Sequence, residues 1–219
     1  MSIQKMLVNF SRWLILGERN GVHQSIQGKG NIIQMEGANF TNLELDIIGD
    51  NNTIVIGTNS VFNGTRFRVR GSDHYIEFGP ECRVTLRGVF WFEDNGCTLK
   101  VGRNTSMVDV HIAVTEPGSK VTIGENCMFA NDIDIRTGDS HSIIDPLTSK
   151  RLNHAADVVI DNHVWVAPHV VILKGVHIGE NSVIATGAVV TKSGGSGVIM
   201  GGNPAVEIKS SISWTRERL

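Results

Sequence analysis

From Ile160 onward an aliphatic residue returns every six positions: Ile160, Val166, Ile172, Ile178, Ile184 and Val190. Four positions after each of the first five stand Val164, Val170, Val176, Ser182 and Ala188, all small or β-branched. A hexad of this kind fits one flat side of a triangular coil. The aliphatic residue points inward, the small residue packs at the corner, and the remaining positions face out. Three hexads complete a turn of 18 residues, so Ile160 is expected to stack on Ile178 and Val166 on Ile184. A chain with such a period is a solenoid, burying its core only by stacking one coil on the next.

The first half carries a looser version. Ile56-Gly57, Phe78-Gly79, Val101-Gly102 and Ile123-Gly124 lie 22, 23 and 22 residues apart, and Ser60, Cys82, Thr105 and Cys127 follow the aliphatic or aromatic residue by four. These read as four wider coils. Cys82 and Cys127 thereby become inward corner residues rather than nucleophiles, and Cys97 is expected to pack as well. Composition agrees with strands and turns: 23 Ile and 24 Val stand against 11 Leu and 9 Ala, with 24 Gly and 17 Asn. An antiparallel sandwich shares that composition but needs no strict period of six.

Solenoid ends need covers. Ile3, Met6, Leu7, Phe10, Trp13 and Leu14 have helical spacing. Residues 1–20 are therefore expected to form a capping helix, with an interfacial membrane helix as the sharper alternative. The β-helix spans 21–204, and 205–219, with Trp214, reads as a C-terminal cover. The net charge of −2 and the lack of any basic run argue against nucleic acid as a partner. Residues 1–20 lack the apolar core of a signal peptide or membrane span, and three cysteines without framework spacing suit a reducing compartment. A soluble cytoplasmic protein is expected, with membrane contact confined to that alternative.

The period breaks once. Ile123, Phe129 and Ile135 keep the six-spacing, but position 141 holds His141 where an inward aliphatic is due. The register resumes at Ile160, so residues 138–157 are expected to be extruded as a loop. Loops on a regular scaffold are where function concentrates. A histidine at the root of one is a candidate general base, although a lone histidine there is more commonly a turn or capping residue. Trp165, next to the inward Val166, is expected to point outward and to cover a ligand or a neighbouring subunit.

At this point the sequence resembles a family. Ile160-Asp-Asn-His-Val-Trp165-Val-Ala-Pro168, Leu173-Lys-Gly-Val-His-Ile-Gly-Glu-Asn-Ser-Val-Ile184, Gly187-Ala-Val-Val-Thr191-Lys192 and Gly202-Asn-Pro-Ala205 are similar to the terminal coils of left-handed β-helix, hexapeptide-repeat acetyltransferases. Asp139-Ser-His-Ser-Ile143 looks most like capsular and polysialic acid O-acetyltransferases. The resemblance implies an all-β, left-handed parallel β-helix, usually trimeric, that acetylates a sugar or polysaccharide hydroxyl from acetyl-CoA by direct transfer. It makes His141 the catalytic base. Asp139 is then a candidate to orient the imidazole, though a turn role suits it slightly better, and Asp109 and His111 are candidates for holding the acceptor. By position, the resemblance assigns acetyl-CoA to Trp165, Ala167, Pro168, Ala185, Thr186, Thr191, Lys192 and Lys209. Ser193-Gly-Gly-Ser-Gly197 and Val206 depart from the family pattern near the phosphates.

Three other readings share the scaffold. An N-acetyltransferase acting on an amino sugar nucleotide differs only in its acceptor. A zinc enzyme of the γ carbonic anhydrase type needs three converging histidines; His163 and His169 are six apart, and His141 and His154 lie in or beside the loop. No metal is expected. An inert scaffold is the third.

Overall fold

The computed structural model describes residues 16–19 and 21–219. The helix expected over Ile3 to Leu14 lies outside the described residues. Leu16–Arg19 is a strand, paired antiparallel with Val22–Gln27.

From Val22 the chain winds as a left-handed parallel β-helix with three faces. One face stacks strands Ile32–Gln34, Thr53–Ile56, Tyr75–Phe78, Thr98–Val101, Lys120–Ile123, Val158–Ile160 and His177–Ile178 in a seven-stranded sheet. The other two faces join into one sheet because Arg83–Phe92 and Ser106–Val114 run around the corner between them. From Ile160 onward the period of six places the inward residues as expected. Ile160 pairs in register with Ile178, Val166 with Ile184 and Ile172 with Val190, all buried. Ile56, Phe78, Val101 and Ile123 form one buried column that continues to Ile160 across the extruded loop.

The wider lower coils enclose more space, and aromatic rings fill it. Phe62, Phe67, Phe78 and Phe90 are buried in mutual ring contact with centroids 4.9 to 6.5 Å apart. Above the loop, Val, Ile and Ala fill most of the core, with Met200 and Ser182 also buried. Cys82, Cys97 and Cys127 are buried free thiols, and burial pushes their pKa values up, to about 11 for Cys82 and Cys127. Such thiols do not supply thiolate near neutral pH.

Corners need left-handed backbone, which Asn, Asp and Gly adopt most easily. Asn59, Glu81, Asn104, Asn126, His163 and Asn181 all have φ between 53° and 65° at successive coils. At another corner, Gly28, Gly49 and Gly71 are indispensable. A β-carbon on Gly71 would lie 1.5 Å from the Asp94 carbonyl oxygen of the next coil.

The C-terminal segment runs along a side of the stack. Ala205–Lys209 folds back antiparallel on Ile199–Gly202. The chain then descends the outer surface, with the Ile212 amide donating to the Gly197 carbonyl and the Trp214 indole N–H donating to the His163 carbonyl at 2.7 Å. Arg216 reaches Ser106 Oγ and the Cys127 carbonyl lower down.

Candidate functional site

The loop leaves the coil at a buried polar knot. Thr137, fully buried, exchanges hydrogen bonds with the Thr115 backbone, and Ser119 Oγ lies 3.1 Å from Thr137 Oγ1. Gly138 follows because the exit is tight: a β-carbon there would sit 2.7 Å from Thr115 Oγ1. The chain rejoins the stack at Val158. The inward slot expected at position 141 therefore does not exist. The coil is abandoned three residues earlier, and His141 is exposed rather than turned into the core.

Ion pairs with the neighbouring coils fix the loop. Arg151 pairs bidentately with Glu116 on the coil below, with Nη1 2.9 Å from Oε2. Burial alone would raise the Glu116 carboxyl, but the Arg151 hydrogen bonds and charge outweigh it and lower its pKa. Lys174, from the coil above, forms an ion pair with Asp139 and also donates to the Asn153 carbonyl at 3.0 Å. That lysine, then the Asn153 hydrogen bond, hold the Asp139 carboxyl below its ordinary value.

Asn153 is the hub. Its Nδ2 donates to Asp139 Oδ2 at 2.7 Å and to the His141 carbonyl at 2.8 Å. Its Oδ1 accepts from the Ile143 amide at 2.6 Å. With the His141 amide donating to the Asp139 carbonyl at 2.7 Å, the histidine's main chain is held on both sides. Its imidazole makes no hydrogen bond to the described residues. Asp139 does not touch that imidazole: its carboxylate is occupied by Lys174 and Asn153. Sequence reading missed Asn153, Lys174, Arg151 and Glu116. Their spacings of 12 to 35 residues follow no period, and only Lys174 lay inside a recognisable motif.

The remaining candidates divide among different parts of the surface. Asp109 is tied to Arg87 at 2.8 and 2.9 Å. His111 Nδ1 lies 3.2 Å from Asp134, which also pairs with Arg136. Burial pushes the Asp134 carboxyl up, but His111 and Arg136 outweigh it and bring it down to about 2. Ala167, Pro168, Ala185 and Thr186 line one edge, coil over coil; the Ala167 amide donates to the Ile184 carbonyl and the Gly187 amide to the Pro168 carbonyl. A β-carbon on Gly187 would meet nothing within 4 Å, so the corner there is open. Thr191 and Lys192 are exposed after the strand Val189–Val190, whose column is that of the loop's parent strand Ile133–Arg136. Lys209 is exposed on the last strand, paired with Ile199.

Trp165 points outward as expected and is half-buried, with the Trp214 ring 6.0 Å away and tilted. Trp214 itself stacks on His163 at 4.3 Å. Trp165 lies in the column of Met128 and Val183, whereas the loop leaves from the column of Val110–Ala113 and Val171–Ile172. Within one chain, Trp165 and the loop therefore occupy different faces. The histidines of the zinc reading do not converge. His163 is a corner residue bonded to Asn181, His169 another bonded to Asp132, and no metal-binding cluster exists among the described residues.

Residues 157–192 match the family model described as bacterial transferase hexapeptide (six repeats). The polysialic acid O-acetyltransferase of Neisseria meningitidis is 34% identical over 157 residues, covering 71% of this chain and 72% of that protein. The chain belongs to the hexapeptide-repeat acetyltransferases. A second polysialic acid O-acetyltransferase of the family, from Escherichia coli O1:K1, is 37% identical over 55% of this chain, which spans only 39% of that longer relative. Two solved structures of family members superpose closely. The polySia-specific acetyltransferase NeuO has a TM-score of 0.84 at 29% identity over 91% of both chains. The polysialic acid O-acetyltransferase OatWY has a TM-score of 0.81 at 30% identity, over 90% of this chain and 92% of that one.

Proposed function

We propose that this acetyltransferase moves the acetyl group of acetyl-CoA onto a hydroxyl of a polysaccharide, with His141 as general base. The observation that carries the reading is the loop: its polar contacts hold the His141 main chain on both sides while leaving the imidazole accessible. Preorganisation of this kind suits a base that must meet an acceptor hydroxyl at hydrogen-bond distance. The imidazole takes the hydroxyl proton as that oxygen attacks the thioester carbon. The tetrahedral intermediate then collapses, expelling the CoA thiolate, which takes the proton back from the imidazolium. No cysteine is available for a covalent acetyl intermediate among the described residues, since all three thiols are buried.

The small-residue edge of Ala167, Pro168, Ala185 and Thr186 suits the narrow pantetheine arm, and Lys192 and Lys209 suit phosphate charge. Because the loop and Trp165 lie on different faces, the site is completed between subunits, for which a trimer is the arrangement the resemblance implies. The acceptor class follows the relatives named as polysialic acid O-acetyltransferases. The test is release of CoA thiol and acetylated product from acetyl-CoA with polysialic acid, neutral oligosaccharides and amino sugar nucleotides. Transfer to a glycan hydroxyl that falls at least a hundredfold in His141→Ala supports the reading. Transfer that survives this substitution, or that prefers an amino sugar nucleotide, overturns it.

A further inference from the structure

Among the described residues, the face from which the loop emerges carries five outward arginines, and four have carboxylate partners. Arg66 pairs with Glu44, Arg70 with Asp46, Arg87 with Asp109 and Arg136 with Asp134. Arg68 is the exception. Its in-register neighbour below is Asp46, but that carboxylate is occupied by Arg70, whose Nη1 also takes the Asp46 carbonyl at 3.0 Å. The Arg68 guanidinium instead lies over the indole of Trp91, 4.6 Å from the ring centroid. Its Nε is buried without a hydrogen-bond partner among the described residues. An Nε–H left unmet in a shielded place is an uncommon arrangement, because it costs stability.

Arg68, Trp91, Ala113 and Arg136 follow one another in register up the face, ending at the strand from which the loop departs. At about 4.8 Å per strand, Arg68 lies roughly 14 Å below Arg136. Ala113 contributes only a methyl group between Trp91 and Arg136. An aromatic face next to an unpaired guanidinium is suited to a sugar ring that bears a carboxylate. The ring lies on the apolar surface, and the carboxylate takes the fork of guanidinium donors.

We propose that Arg68 and Trp91 form a subsite for a carboxylated sugar unit of the acceptor polysaccharide, remote from the unit being acetylated. This rests on the polysaccharide reading above. The chain runs along the stack, parallel to the solenoid axis, from this subsite towards the His141 loop. It offers a carboxylate to the terminal Nη nitrogens of Arg68, which pair with no carboxylate among the described residues, so binding is directed to acidic polymers longer than one ring.

The test measures binding and transfer separately. Binding of polysialic acid, which carries a carboxylate on every unit, is titrated calorimetrically against wild type, Arg68→Gln, Trp91→Leu and Arg103→Gln, with dextran as the neutral polymer. Arg103→Gln removes the same charge from an exposed corner where Arg103 pairs with Glu81, and controls for net charge. Thermal melts check that each variant is folded. The expected result is a Kd for polysialic acid raised about tenfold by Arg68→Gln and by Trp91→Leu but not by Arg103→Gln, with no binding of dextran. In transfer assays, the loss of kcat/KM in Arg68→Gln is about tenfold larger with the polymer than with a single sialic acid. Absence of polymer binding, equal weakening by Arg103→Gln, or equal losses on long and short acceptors overturns the subsite. Failure of the underlying reading looks different: polymer binding remains sensitive to Arg68→Gln, while no acetyl transfer to any glycan is seen.

Discussion

Asn153→Ala is the perturbation that most directly tests how the loop presents His141. Four contacts disappear together: the hydrogen bond to the ionised Asp139, the one to the His141 carbonyl, the one from the Ile143 amide and a longer one from Arg151 Nε. A hydrogen bond to a charged group contributes about 1.5–3 kcal/mol, and each main-chain group left unpaired costs about 1–3 kcal/mol if it stays shielded. Much of the loop is exposed, so water partly replaces the lost partners, and about 2–4 kcal/mol is a fair sum. The Arg151–Glu116 and Lys174–Asp139 pairs remain, so the loss falls on the order of the loop between 139 and 143 and not on the coils. Two to four kcal/mol corresponds to a change of roughly 30-fold to 1000-fold in the local opening equilibrium. Hydrogen exchange of the Ile143 amide should accelerate by at least the lower factor, while amides in the strands above and below keep their rates. The kcat for acetyl transfer should fall about tenfold or more, with the KM for acetyl-CoA within about twofold. Asn153→Asp sharpens the experiment: it places an oxygen where Nδ2 donates to Asp139, and the loop should be at least as disordered at neutral pH. Lowering the pH protonates one of the facing carboxyls and should restore part of the Ile143 protection. An Ile143 amide as protected in Asn153→Ala as in wild type would refute the reasoning. So would acceleration spread evenly over the coils.

Other outcomes follow from the same geometry. Mixing His141→Ala with Trp165→Ala subunits should recover a fraction of wild-type transfer, because some interfaces then hold both intact residues; no recovery after verified exchange rules out a site shared between chains. Asp134 titrates at about 2 against an ordinary 3.8, so its ionised form stabilises the fold by about 2 kcal/mol. The folded pKa is depressed, so that contribution is complete above about pH 4 and fades as pH falls towards 2; denaturant titrations should lose this slope in Asp134→Asn. Gly71→Ala should destabilise the stack by more than about 3 kcal/mol, read as a lowered chemical midpoint, since the added carbon meets the Asp94 carbonyl of the next coil. Finally, Cys82, Cys97 and Cys127 should resist alkylation in the native protein at pH 7 and react only on unfolding.

The scaffold was legible from the chain alone because a solenoid converts long-range contact into local repetition. Each inward residue packs against the residue one period away, so Ile160 on Ile178 can be read by counting. The same logic placed Cys82 and Cys127 at buried corners and located the loop, since an insertion is visible wherever the count fails. What failed was the inference that the residue at the missing beat, His141, must still occupy the beat's position. A count shows that a register is lost but not where the chain turns away, and Gly138 left the coil before the slot was reached.

The apparatus that holds the site had no such signal. Asn153, Arg151, Glu116 and Lys174 come from the loop's return limb and from the coils below and above it. They meet only because the loop folds back against a corner of the stack. Nor can a sequence tell which of five arginines on one face loses the competition for four carboxylates; that is decided by side-chain reach, and Arg68 is left over because Arg70 takes Asp46. Periodicity by itself determined the core, the corners and the existence of the loop, because there one period's spacing is also one spatial contact. Tertiary structure alone decided how the histidine is held and which cation stays unpaired, because those depend on aperiodic side chains meeting across the stack.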